Sequence, residues 1–189
     1  MTNIAVFVSG GGTNLENLIE YFHGSDKVGI KLVISSSSKA YAVQRTANHS
    51  IPCMVLSKEA LADEKKVLAL MREFGIRFIV LAGFLRVIPD YLIEAFPKRI
   101  VNLHPALLPK FGGMGMYGHH VHEAVKAAGE TETGMTVHYV SGVVDGGSII
   151  AQFSTPILPT DTPDDIAAKE HILEMEHFPK VIEDVIDRL

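Results

Sequence analysis

The stretch IAVFVSGGGTNLENLIEYF, Ile4 to Phe22, decides the fold. Its unbroken apolar run, Ile4 to Val8, is bounded by a Gly-rich turn and reads as a strand buried on both faces. Ser9-Gly10-Gly11-Gly12-Thr13-Asn14 follows, and Leu15, Leu18, Ile19 and Phe22 then recur at the spacing of one helix face. Outward from this segment the same alternation repeats. Ile30 to Ser35, Cys53 to Leu56, Phe78 to Ala82 and Ile100 to His104 are further strand candidates. Helical spacing returns at Val67, Leu68, Leu70, Met71 and Phe74, and again at Tyr91, Leu92, Ala95 and Phe96 behind Pro89. Such alternation predicts an α/β protein: an open, twisted, mostly parallel sheet with helices on both faces and a Rossmann-like N-terminal half.

Beyond Pro105 the pattern changes. A Gly-rich loop, LPKFGGMGMYGHH (Leu108 to His120), leads to a helix near Val121 to Ala128. Two strand-like runs, Gly134 to Val140 and Ser148 to Pro156, then flank SGVVDGG, Ser141 to Gly147, which fits a loop between neighbouring strands. Thr162 as N-cap, Pro163 at the first helical position and Asp165 three residues after the cap open a terminal helix.

The length of 189 residues and 47% hydrophobic content suit one domain with a sizeable core. The 17 basic and 22 acidic residues, with no long run of Lys or Arg, argue against a nucleic-acid groove and for small-molecule partners. A single cysteine, Cys53, excludes an intramolecular disulfide and a Cys-based zinc site, and fits a reducing compartment. The N-terminal apolar run lacks a basic leader, and no apolar stretch approaches the roughly 20 residues that span a bilayer. A cytoplasmic protein with no membrane partner is expected.

The Gly10 to Asn14 turn lies where exposed amides and the positive end of a helix hold an anion. A dinucleotide fingerprint would place a third glycine where Leu15 stands, and an acidic residue where the second strand instead ends in Ser35-Ser36-Ser37-Ser38. A nucleoside triphosphate loop would need Gly-Lys-Ser/Thr, also absent. A monophosphate and a merely tight strand-to-helix turn are the two readings left.

In Ile100-Val101-Asn102-Leu103-His104, residues two apart share a face, so Asn102 and His104 point the same way. Pro105 ends regular pairing, which sets both near the carboxyl end of a strand, where open α/β sheets bind ligands. Acyl transfer to an amine needs a donor for the developing oxyanion and a group that moves a proton, roles that Asn and His fill. Asp145, in the turn-forming VVDGG, is the best candidate for a carboxylate that favours protonated imidazole. The alternative is that Asn102 and His104 only satisfy backbone groups at a strand end.

Taken together, SGGGTN, VLAGFLRVIP, VNLHPALLPKF and GMTVHYVSGVVDGGSIIAQ resemble, in the same order, the segments of the folate-dependent formyltransferases. The resemblance covers nearly the whole chain. It implies a single domain over 1–189, with 1–104 the phosphoribosyl-binding half and 105–189 completing the folate and catalytic site. It also implies formyl transfer from 10-formyltetrahydrofolate to 5-phosphoribosylglycinamide in purine biosynthesis, through a tetrahedral intermediate, with no metal and no covalent enzyme intermediate. By the same resemblance His104 is the proton donor, Asp145 raises its pKa and Asn102 holds the oxyanion. Gly12, Thr13, Asn14 and Glu174 fall at substrate-binding positions. Leu85, Arg86, Val87, Ile88 and Asn102 fall at folate-binding ones, with Lys65 or Lys66 a candidate for the folate tail. His138 is a further substrate-side residue, and Leu108-Pro109 a candidate cis peptide. A monomer or homodimer is expected.

Other signals are weaker. His119, His120 and His122 suggest metal ligands, but no familiar spacing completes a site. Glu170 and Glu174 share a helix face, which fits either solvent or substrate. Cys53 reads as a buried small hydrophobe, and Leu85, Val87 and Ile88 also fit ordinary core. Two relatives with the same core chemistry carry extra domains: the enzyme formylating methionyl-tRNA after this region, the formyltetrahydrofolate hydrolase before it. Neither is expected here. A regulatory module that kept the fold without the chemistry would not need Asn102, His104 and Asp145 together.

Overall fold

The computed structural model describes residues 1–189. Its strands are β1 (Thr2–Val8), β2 (Val28–Ser35), β3 (Cys53–Val55), β4 (Phe78–Leu81), β5 (Ile100–His104), β6 (Glu132–Tyr139) and β7 (Ile149–Pro156). The helices are α1 (Thr13–Tyr21), α2 (Tyr41–Asn48), α3 (Lys58–Ala62), α4 (Glu64–Glu73), α5 (Asp90–Ala95), α6 (His119–Ala127) and α7 (Pro163–Ile186). One seven-stranded sheet has the order β3-β2-β1-β4-β5-β6-β7. Strand β1 pairs parallel with β2 and β4, β2 pairs parallel with β3, and β6 and β7 are antiparallel. This is the α/β, mostly parallel sheet that the alternation predicts. The chain forms two compact units, Met1–Val101 with Glu183–Leu189, and Asn102–Ile182.

In the first unit, Ile4 to Val8 are fully buried, as in a parallel strand covered on both faces. Leu15 and Leu18 of α1 are equally buried, so the helical face read from the sequence is the packed face. Gly12 enters α1 at φ 72, a left-handed conformation, and a Cβ there would lie 2.8 Å from the Cβ of Ala42 in α2. Helices α2 and α3 have no counterpart in the sequence reading. Only Ala42 and Thr46 of α2 and Leu61 of α3 are buried, too few to create an apolar period. Ser57 and Asp63 cap α3 and α4 by accepting from the amides of Ala60 and Lys66. Cys53 starts the short edge strand β3 and is only half-buried, so the buried-hydrophobe reading needs correction. Edge strands leave one side of each residue open.

In the second unit, Ala106, Val121, Val125 and Ile166 form a core with Phe111, Met116 and Ile157 packed against it. The capping box of α7 is reciprocal: Asp165 accepts from the Thr162 amide at 2.8 Å, and its own amide donates to the Thr162 hydroxyl at 3.2 Å. Helix α7 continues through Pro179 to Ile186. The β6–β7 ladder slips between Val137 and His138, a bulge of the kind that re-aims a side chain. A Cβ on Gly147, just before β7, would collide with the Tyr139 carbonyl, which explains the second glycine of VVDGG. The Leu108-Pro109 peptide is cis.

Candidate active site

The last residues of β5 begin the site. Asn102 is half-buried, and His104 is buried at 3% exposure, while the alternating residues Val101 and Leu103 are packed in the core. His104 makes two polar contacts. Its Nε2 lies 2.8 Å from the Phe111 carbonyl oxygen, an acceptor, so Nε2 carries the proton. Its Nδ1 faces Oδ2 of Asp145 at 3.5 Å. Asp145 Oδ2 also accepts from the Gly113 amide at 2.9 Å, and Oδ1 lies 3.6 Å from Nε2 of His138. His138 donates from Nδ1 to the Tyr139 carbonyl at 2.9 Å. In the neutral ring that leaves Nε2 as acceptor for the Asn102 amide, 3.0 Å away. Asn102, His138, Asp145 and His104 thus form one continuous polar chain.

Both groups that meet the His104 ring come from residues with positive φ, Phe111 at 56° and Asp145 at 54°. Neither has glycine's freedom, and such conformations cost on the order of 1–3 kcal/mol each when the surroundings impose them. They recur at sites where geometry is held for chemistry. Burial holds the imidazole of His104 below its ordinary pKa. The Asp145 carboxylate and the Phe111 carbonyl pull upward, and His138 adds a small downward push. Burial alone would push the Asp145 carboxyl up, but the neighbouring His138 ring, the hydrogen bond from the Gly113 amide and the charge of His104 hold it below the usual range. The result is a carboxylate beside an imidazole.

The loop after β1 belongs to the first unit. The Gly10 carbonyl accepts from the Ala42 amide at 3.2 Å, the Gly11 carbonyl from Nε of Arg45 at 2.8 Å, and the Gly12 carbonyl from the Glu16 amide at 2.9 Å. None of the amides of Gly11, Gly12 and Thr13 donates to a backbone carbonyl. In the same unit, Leu85 and Val87 are 58% and 60% exposed, which overturns the core reading for these two, while Ile88 is buried. Leu85 donates its amide to the Ser9 hydroxyl at 2.9 Å. Arg86 spends its guanidinium on the carbonyls of Leu56 and Ser36, both at 2.8 Å, and so braces this segment from within. Lys66 pairs with its own helix cap Asp63 at 3.1 Å, and both Lys65 and Lys66 are exposed.

Glu174 lies on α7 with 8% exposure, bonded to His171 Nδ1 at 3.1 Å and hydrogen-bonded to Glu170. Two carboxyl groups can share a hydrogen bond only with a proton between them. Burial, then the charge of Glu174, push the Glu170 carboxyl well above its ordinary range. Two buried atoms near this pair have no partner, Oε1 of Glu170 and Nδ1 of His122. The three histidines of the 119–122 stretch part company: His119 faces Glu123 and Asp164, His120 faces Glu123, and His122 is buried.

Phe111 and Arg45 were not singled out by the sequence, whereas Glu170 was, with solvent and substrate both open for it. Phe111 acts through its carbonyl, which has no residue signature. Arg45 sits on the unforeseen α2.

Fold and site together define a class. Residues 2–182 match the family model described as formyl transferase, and the chain belongs to that family. Its relatives include the chloroplastic phosphoribosylglycinamide formyltransferase of Arabidopsis thaliana, 38% identical over 181 residues, which span 92% of this chain and 61% of the relative. Phosphoribosylglycinamide formyltransferase of Haemophilus influenzae is 33% identical over 187 residues, spanning 96% of this chain and 86% of that one. The crystal structure of phosphoribosylglycinamide formyltransferase from Anaplasma phagocytophilum matches with a TM-score of 0.89 at 31% identity, covering 99% of this chain and 88% of that chain. The chain spans about three fifths of the length of the Arabidopsis relative and of a similar chloroplastic one from Vigna unguiculata. No helix is long and apolar enough to cross a membrane.

Proposed function

We propose that this chain transfers the formyl group of 10-formyltetrahydrofolate to the amine of 5-phosphoribosylglycinamide, a step of purine biosynthesis in the cytoplasm. One observation carries the reading: in a formyl transferase family member, buried His104 lies between the Asp145 carboxylate and the Phe111 carbonyl, with Asn102 joined to the same network. The relatives named for that activity supply the acceptor.

The folate supplies an activated formyl group. Leu85 and Val87 offer exposed apolar surface for its ring system, and the Arg86 to Ile88 backbone takes no part in the chain's own hydrogen bonding, which leaves it available to heteroatoms of the ring. Gly12, Thr13 and Asn14 hold the phosphate of the acceptor, and Glu174 accepts from its hydroxyls. As the amine adds to the formyl carbon, negative charge grows on the formyl oxygen. Asn102 has two amide hydrogens and uses one on His138, so the second remains for that oxygen. His104 gives a proton to the departing nitrogen, and its ring then takes up the proton released by the attacking amine, which restores the imidazolium. Because each ring nitrogen of His104 already faces a partner, the donation requires substrate to replace one of them. Asp145 stabilises the imidazolium form that the donation consumes.

The test is an assay of tetrahydrofolate formation with 5-phosphoribosylglycinamide as acceptor and His104→Ala as control. Turnover above the control is expected, and none would overturn the assignment.

A further inference from the structure

A trans peptide is planar, so the carbonyl of one residue and the amide N–H of the next point in opposite directions. Capturing a carbonyl therefore aims the following amide. In the loop after β1 three successive carbonyls are captured: Gly10 by the Ala42 amide, Gly11 by Arg45 Nε and Gly12 by the Glu16 amide. The amides of Gly11, Gly12 and Thr13 are accordingly turned the other way, as a set. Two of the three captures are backbone bonds that any residue makes. The capture at Gly11, which aims the Gly12 amide, depends on one side chain.

That side chain is held on its other edges. Arg45 Nη1 bonds Oε2 of Glu16 at 3.1 Å, its guanidinium lies 5.0 Å from the centre of the Tyr41 ring, and Oε1 of the same Glu16 is bonded by His49 at 2.5 Å. Nε and Nη1 of Arg45 are committed to a loop carbonyl and a carboxylate, so the side chain bears on the site through the loop. The contact between Gly12 and Ala42 brings α2 against the turn from the same side.

We propose that Arg45 is a positioning residue that holds the Gly11 peptide so that the Gly12 amide meets the phosphate of the substrate. This rests on the reading of the loop as the phosphate site. Inorganic phosphate is titrated into the full chain while the amide resonances of Gly11, Gly12 and Thr13 are followed by NMR. Kinetics are then compared for wild type, Arg45→Met and Arg45→Lys, with thermal unfolding as a check on folding. Lysine keeps the positive charge and lacks the Nε donor.

In wild type all three amides are expected to shift with phosphate. In both variants the Gly12 response should be lost, and KM for 5-phosphoribosylglycinamide should rise roughly tenfold or more, the scale of one charge-assisted hydrogen bond. KM for 10-formyltetrahydrofolate should stay within about twofold. A wild-type response at Gly12 in either variant overturns the proposal and leaves the phosphate site standing. So does a normal KM in Arg45→Lys, which would mean that charge alone matters, or an equal rise in both KM values. If phosphate moves none of the three amides in wild type, the phosphate reading fails and the proposal falls with it. Should Arg45→Met not fold, Arg45→Lys decides.

Discussion

Thr136→Val removes one oxygen from the interior and keeps the shape of the side chain. Thr136 is fully buried on β6, and its hydroxyl serves three partners. It donates to the Ala106 carbonyl at 2.6 Å and accepts from the Leu108 amide at 3.0 Å and from Nε2 of Gln152 at 2.9 Å. These bonds fasten the chain just beyond His104 to the β6–β7 ladder, and Gln152 adds a bond to the Leu108 carbonyl at 2.9 Å. Valine leaves the Leu108 amide and the Ala106 carbonyl buried without this partner, at about 1–3 kcal/mol each. Gln152 keeps its second bond, so the expected loss is about 3–4 kcal/mol, or roughly 10 °C in Tm for a chain of this size. Thr136→Ser keeps the hydroxyl and loses one methyl, at about 1 kcal/mol. Urea denaturation of all three proteins, read by circular dichroism and fluorescence to test for coincident transitions, measures both differences. The kcat of Thr136→Val should also fall, because Phe111, whose carbonyl meets His104, lies on the segment that Leu108 anchors. A loss below about 1 kcal/mol, or a serine variant as weak as the valine one, would refute the reasoning.

Three more outcomes are expected. As a proton donor, His104 should make kcat/KM fall as pH rises through its pKa; burial places that fall below the ordinary imidazole range, and Asp145→Asn, which removes the carboxylate that raises it, should move the fall lower still, as a pH profile would reveal. Gly12→Ala forces a Cβ onto Ala42 at φ 72, and should cost on the order of 1–3 kcal/mol in unfolding free energy while raising KM for the phosphorylated substrate more than for the folate. The Glu170 carboxyl is raised in the folded state, so the unfolded chain ionises first and wild-type stability falls as pH rises from the ordinary carboxylate range through the folded value. Glu170→Gln removes that loss, and its stability relative to wild type, followed by urea midpoints between about pH 4 and pH 8, should grow with pH and then level off.

The local part of the fold was legible because it is written in periods. Ile4 to Val8, all buried, and Leu15, Leu18 and Ile19, all on the packed face of α1, follow directly from apolar spacing. The strand parity that pairs Asn102 with His104 is equally local. Helix α2 escaped because a helix with two buried residues leaves no period to find, and Arg45 escaped with it. Leu85 and Val87 look like core by composition. Only the path of the chain after β4 leaves them exposed, and hydrophobicity does not carry that information.

From the sequence alone came the α/β class, the strand-end pair Asn102 and His104, and the glycine turn with its two readings, since each depends on residues near one another along the chain. The resemblance of whole segments added Asp145 as their partner. The tertiary structure decided what those residues meet. The imidazole of His138, beside the register shift in β6, joins Asn102 to Asp145, and a carbonyl at Phe111 occupies one edge of His104. It also decided the balance at His104: Asp145 pulls the pKa of the ring up, yet burial outweighs it and the ring sits below its ordinary value. Burial is set by the whole surrounding shell, and a backbone carbonyl carries no residue identity, so neither could be read along the chain.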